Sequence, residues 1–109
     1  MIELDMRRDL AKVSRETTSQ PGRMATCTYT GPCAIGAMMT PKDRRRLARL
    51  GYDSKRIGSL IAGRYDVTKA ISVPDDQIDD FEALQRAFDR NADRFDAKLA
   101  ELKEKYDVR

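Results

Sequence analysis

Cys27 and Cys33 lie six positions apart and are the chain's two thiols; no histidine and no tryptophan accompany them. Thiolates at that spacing suit several kinds of chemistry. As zinc ligands they would supply two of four, leaving carboxylates or a second subunit to complete the set. A disulfide across the intervening turn is geometrically accessible, but a reducing compartment opposes it. A reactive thiolate at Cys33 would draw on a helix N-terminus, with no base or oxyanion donor to name beside it. The plainest reading is two buried thiols packed as small apolar groups. The missing histidine also removes the commonest general base and transition-metal ligand.

Asp75-Asp76-Gln77-Ile78-Asp79-Asp80 matches the DDxxD pattern with which isoprenoid synthases hold magnesium and diphosphate. Carboxylates four apart on a helix can share a cation. A chain of 109 residues cannot also build the second acidic motif and the hydrocarbon cavity such enzymes need. Negative charge in the first turn of a helix is favoured by the helix dipole, and that accounts for these acids.

The strongest surface signal is the run from Lys42 to Arg49, with Arg44, Arg45, Arg46 and Arg49 in it and Lys55 and Arg56 just beyond. Such a cluster suits phosphate or an acidic protein face; it also suits a solvated helix paired with the chain's own acids. These six residues are the candidate partner-binding set. Two helical patterns around Gly51 fit a helix-turn-helix loosely. Gly58 and Gly63 weaken its second helix.

These groups need elements to hold them. Ile2, Met6, Leu10, Val13 and Thr17 recur at helical spacing and predict a first helix over 2–18, ended by Gln20-Pro21-Gly22. Residues 26–30 are dense in β-branched and aromatic types and predict a short strand. Cys33 to Met39 reads as a short buried helix in which Gly36 permits a close backbone approach. Thr40-Pro41 opens the next helix, which stops at Gly51. Asp53 caps another that carries Ile57, Leu60 and Ile61 inward and ends near Gly63. Residues 66–73 alternate loosely and predict a strand pairing with 26–30.

A long helix follows from Ser72-Val73-Pro74-Asp75, with Ile78, Phe81, Leu84, Phe88, Phe95, Leu99, Leu102 and Tyr106 as its stripe. A break is expected at Asn91, Asp93 and Arg94. The last part of the stripe would fold back on the first helix or pair with a partner or a second copy. Charge is segregated. Nine basic residues face three acids over 41–69, whereas eleven acids face seven bases over 75–109. The net charge of +3 therefore hides a basic middle and an acidic tail. No run approaches the roughly 20 apolar residues of a membrane span. The N-terminus lacks the apolar core of a signal peptide, so a cytoplasmic location is expected.

Cys27-Thr28-Tyr29, the Gly31-Pro32 turn and Cys33-Ala34-Ile35-Gly36 resemble a family of small, uncharacterised proteins encoded in tailed phages and prophages. Its members carry a C-x-Y segment, a glycine-containing turn and then CA[IV]G before a short apolar run. Tyr52-Asp53 with Ile57-Gly58-Ser59-Leu60 is similar to its second element, and Leu84-Gln85 with Phe88-Asp89 to its closing helix. The resemblance spans about residues 26–90. This chain has a shorter turn between the cysteines and a long charged helix after Asn91. The resemblance brings no catalytic residue. It implies origin: a phage accessory product acting in the bacterial cytoplasm.

The expectation is one mainly α domain over 1–109, of four or five helices with at most a two-stranded antiparallel ribbon and a long C-terminal helix. Its core would lie at about 26–90, with a helical extension over 91–109. Tyr29, Ile35, Met38, Met39, Leu47, Ile57, Leu60, Ile61, Phe81, Leu84 and Phe88 are expected to share that core. The expected function is non-enzymatic, with no cofactor, no metal and no membrane. It is a phage-type inhibitor, most concretely anti-CRISPR-like, that binds a host protein or nucleoprotein complex with an acidic surface. The alternative is a DNA-binding transcriptional regulator. A homodimer through the C-terminal helix is the further partner considered.

Overall fold

Ile2, Leu4 and Met6 alternate inward at period two before the helical spacing of Met6 and Leu10 takes over. In the computed structural model, which describes residues 2–22, 31–51, 61–63 and 70–109, the chain accordingly starts as a strand. This β1 spans Ile2–Glu3, and α1 follows at Met6–Asp9 with a 3₁₀ turn at Leu10–Lys12. The single helix expected over 2–18 is not formed. Asp5 takes an extended conformation and caps α1, its side chain accepting from the Arg7 N–H. Thr17 Oγ1 then donates to the Lys12 carbonyl and accepts the Ser14 N–H, turning the chain where the helix would have continued.

The helices α2 (Ala34–Met38) and α3 (Pro41–Arg49) fall where the sequence places them. Cys33 caps α2 through its Sγ, which accepts the Gly36 N–H at 3.4 Å. Thr40 Oγ1 accepts the Asp43 N–H at 3.1 Å and Pro41 occupies the first turn of α3. Gly51, at φ +86°, ends it and donates to the Ala48 carbonyl at 3.0 Å.

Two further strands, β2 (Ile61–Gly63) and β3 (Ile71–Val73), form a parallel sheet with β1 in the order β1-β3-β2. Ile71 pairs with both Ile2 and Ile61. The ladder is extended on one side by the Ile2 N–H to the Ala70 carbonyl and the Leu4 N–H to Ser72. This corrects the expected two-stranded antiparallel ribbon in strand number and direction. β1 and β2 lie on the two edges of β3. Residues 26–30 themselves lie outside the described residues. All three residues of β3 are buried, as a central parallel strand requires. Ile61, Ala62 and Gly63, expected to end the helix capped by Asp53, are strand instead, and residues 53–60 lie outside the described residues.

After β3 a 3₁₀ turn at Asp75–Gln77 leads into α4 (Ile78–Arg90), and α5 (Ala92–Lys105) closes the chain. The break falls at Asn91, whose extended backbone interrupts the helix and whose Oδ1 accepts the Arg94 N–H at 2.8 Å. Phe88 and Phe95 meet edge to face across it, with centroids 5.0 Å apart. The Pro21-Gly22 turn docks on the end of α4: Gly22, at φ +86°, donates to the Phe88 carbonyl at 2.8 Å.

Ile35, Met38, Met39, Leu47, Ile61, Phe81, Leu84 and Phe88 are all buried in one core. Tyr29, Ile57 and Leu60 lie outside the described residues. The same core takes in Phe95, Leu99 and Leu102 of α5 and Ile2, Leu4, Met6, Leu10 and Val13 of the N-terminal segment. The chain is thus a mainly α domain with a small parallel sheet. No helix among the described residues is long and apolar enough to cross a membrane.

Candidate functional site

At about 100° per residue, Lys42, Arg45, Arg46 and Arg49 fall within one arc of about 100° on α3. All four are exposed. Leu47, at 2% exposure, anchors the opposite side. Arg44 also points away from the basic arc: its Nη1 donates to the carbonyls of Gly36 at 3.0 Å and Met39 at 2.9 Å. Of the arginines picked from the sequence, Arg44 therefore serves the fold, and Arg45, Arg46 and Arg49 form the surface. Lys55 and Arg56 lie outside the described residues. Among the described residues no hydrogen bond or ion pair engages the Arg46 or Arg49 side chain. Leu50, next along the helix and 60% exposed, sets a large apolar side chain beside Arg46 and Arg49.

A second basic surface escapes the reading by segment charge. Arg86, Arg90, Arg94 and Lys98 recur at intervals of four within the acidic tail. The break at Asn91 folds them into an open groove of about 840 Å³ between α4 and α5, with Ala83, Ala87 and Ala97 also lining it. Asp89 and Glu101 line it too. Asp89 accepts from Gln85 Nε2 at 2.9 Å and Glu101 pairs with Lys98 at 2.8 Å. Among the described residues no hydrogen bond or ion pair engages the Arg86, Arg90 or Arg94 side chain. The four-residue period of these bases was the signal available in the sequence; the local net charge of −4 concealed it.

No match to this chain is found among family models, curated proteins or solved structures. Its own geometry must therefore carry the functional reading.

Of the other groups singled out by type, Cys33 and Asp80 are held by the fold. Cys33 is buried at the α2 cap, and Cys27 lies outside the described residues. Among the described residues no three His, Cys, Asp or Glu side chains gather as a metal cradle. The acids of the DDxxD match separate. Asp80 accepts from Lys105 Nζ at 2.7 Å and from the Tyr106 hydroxyl, whereas Asp75, Asp76 and Asp79 are exposed. Burial works against the Asp80 carboxylate, but bonds from Lys105 and Tyr106 outweigh it and hold the group below its ordinary range. Burial and the same bond to Asp80 push the Tyr106 phenol upward.

Asp9, which no sequence motif marks, is the most enclosed charge among the described residues, 1% exposed. It accepts from Arg8 Nε and Nη2, from Lys12 Nζ and from the Asp5 N–H, all within 3.0 Å. Burial alone would raise its carboxyl. These donors reverse that and keep it below the ordinary value of 3.8. Every oxygen is engaged inside the protein, which suits a structural carboxylate. The Ile35 N–H donates to Gln85 Oε1 at 3.2 Å, so α4 supplies part of the α2 N-terminal cap.

Proposed function

We propose that this chain acts by binding, presenting the basic face of α3 to an acidic surface of a partner protein. The observation that carries the reading is Arg46 and Arg49 exposed on one arc beside the exposed Leu50. Arg46 and Arg49 stand in the last turn of α3, where the helix dipole favours cations, while the like charges along this arc repel slightly, so a partner's counter-charge would add to what the dipole supplies. Arginine forks pair with carboxylates, and an adjoining apolar side chain gives such a contact the mixed chemistry of a protein interface. The resemblance to small phage proteins supports a host complex in the bacterial cytoplasm as the partner, with anti-CRISPR-like inhibition as the most concrete form.

A DNA-binding regulator is the second reading, favoured by four cations on one arc of a helix that ends in a glycine turn. Phosphate-driven binding falls steeply with added salt, and that separates the two. The test pairs the wild type with an Arg46→Glu, Arg49→Glu variant of equal melting temperature in capture from bacterial lysate. A protein complex retained by the first and lost by the second is the expected outcome. Identical captures would move the active surface off α3, and a salt-sensitive shift of duplex DNA lost in the variant would favour the regulator.

A further inference from the structure

We infer that the groove between α4 and α5 is a docking site for an acidic amphipathic helix of a partner protein, separate from the α3 face and independent of it. Its alanines, Ala83, Ala87 and Ala97, set no bulk in the way of a third helix. Small side chains allow helix axes to approach to the close end of the usual range of about 8–10 Å. Around them stand Arg86, Arg90 and Arg94, without a hydrogen bond or ion pair among the described residues, and Lys98. Arg86, Arg90, Arg94 and Lys98 outnumber Asp89 and Glu101 in the groove, four against two, so the charge offered to a ligand is positive.

Arg86 and Arg90 are one turn apart, a rise of about 6 Å, which is the spacing of carboxylates at i and i+4 on an incoming helix. The apolar face of that helix would cover the alanines while its acidic flank meets the arginines, the helix-in-groove mode of recognition. Nucleic acid fits less well. Among the described residues no aromatic side chain lines the groove for a base to stack on, and its alanines offer an apolar contact that a phosphate backbone does not use.

The experiment titrates the full isotope-labelled chain with a synthetic peptide of about 18 residues, five helical turns, bearing leucines on one face and glutamates beside them. Saturable amide shifts concentrated over residues 83–101 are expected. An Arg86→Glu, Arg94→Glu variant should weaken binding by about tenfold or more, and Arg46→Glu, Arg49→Glu should leave it unchanged. Glu at position 94 falls in the first turn of α5, where the helix dipole favours it, so the fold should persist. Ala97→Phe, at an exposed position, blocks the groove without altering charge and should also abolish the shifts. Shifts elsewhere on the chain, equal affinity in the Arg86→Glu, Arg94→Glu or Ala97→Phe variants, or shifts over 83–101 with duplex DNA and none with the peptide would each overturn the proposal.

Discussion

Arg44 closes the end of the helix that carries Gly36: its Nη1 donates to the Gly36 carbonyl oxygen at 3.0 Å, and the same nitrogen reaches the Met39 carbonyl at 2.9 Å. The Gly36 carbonyl also accepts the Met39 N–H at 3.1 Å, and the α3 cation adds a charge-assisted bond at this C-terminal end of α2, where the helix dipole favours positive charge. One member of the basic cluster is thereby withdrawn from the surface that its neighbours form.

Arg44→Ala should therefore destabilise the protein by about 1–3 kcal/mol, the range for losing a charge-assisted bond to partly buried acceptors. Arg46→Ala and Arg49→Ala should each stay within about 0.5 kcal/mol of wild type. Urea denaturation of the three variants checks the contrast. Equal losses at all three positions would place Arg46 and Arg49 in the fold instead.

Gln77 is fully buried, and its amide reads the start of α1 from both sides. Oε1 accepts the Met6 N–H at 2.8 Å, and Nε2 donates to Asp5 Oδ1 at 3.1 Å. Gln77→Ala should cost about 1–3 kcal/mol, because the Met6 N–H is left buried without a partner. Gln77→Glu should be worse near neutral pH and recover in acid. It keeps an acceptor for Met6 but turns a donor into a second negative charge beside Asp5. Thermal melts of the two variants across pH would show the crossing.

Asp9 links stability to acid. A carboxyl held below its ordinary value when folded contributes stability that is fully present above 3.8 and is lost as pH falls through the lower folded value. Asp9→Asn should lower stability at neutral pH by about 1.5–3 kcal/mol, since it removes the charge from bonds to Arg8 and Lys12. The gap between variant and wild type should close below pH 3.8. A gap that stayed constant from neutral pH down to acid would mean that Asp9 folds with an ordinary carboxyl.

Removing residues 92–109 should unfold the protein, because Phe95, Leu99 and Leu102 complete the core that holds Phe81 and Phe88. Phe95→Ala alone should cost about 3–5 kcal/mol as a large buried aromatic. Circular dichroism of both forms tests this. A folded, cooperative 1–91 fragment would show α5 to be an appendage.

Much of the helical architecture is legible in local chemistry. The Thr40-Pro41 start, the Gly51 stop, the break at Asn91 and the buried run after Cys33 all depend on side chains within a few residues of the backbone they control. The stripe from Phe81 to Leu102 is legible for the same reason, since helical spacing puts those residues on one side of each helix. The N-terminal segment misleads because Ile2, Met6, Leu10 and Val13 satisfy a helical period while Ile2, Leu4 and Met6 satisfy a strand period. The period alone cannot choose between them.

By itself, then, the sequence determined the caps and stops, which act over one or two turns of chain, and the apolar stripes and segregation of charge, which follow from residue order along it. Tertiary structure alone decided that Ile2 pairs with Ile71 in a parallel sheet, that α5 folds back on α4, and that Gln77 and Asp9 are satisfied where they are buried. It also divided the basic residues, turning Arg44 onto α2 and gathering Arg86, Arg90, Arg94 and Lys98 into one groove. Strand partners and buried polar bonds join residues far apart in the chain. Their free energy exists only once the core brings those groups within hydrogen-bond reach, so no local pattern can announce them.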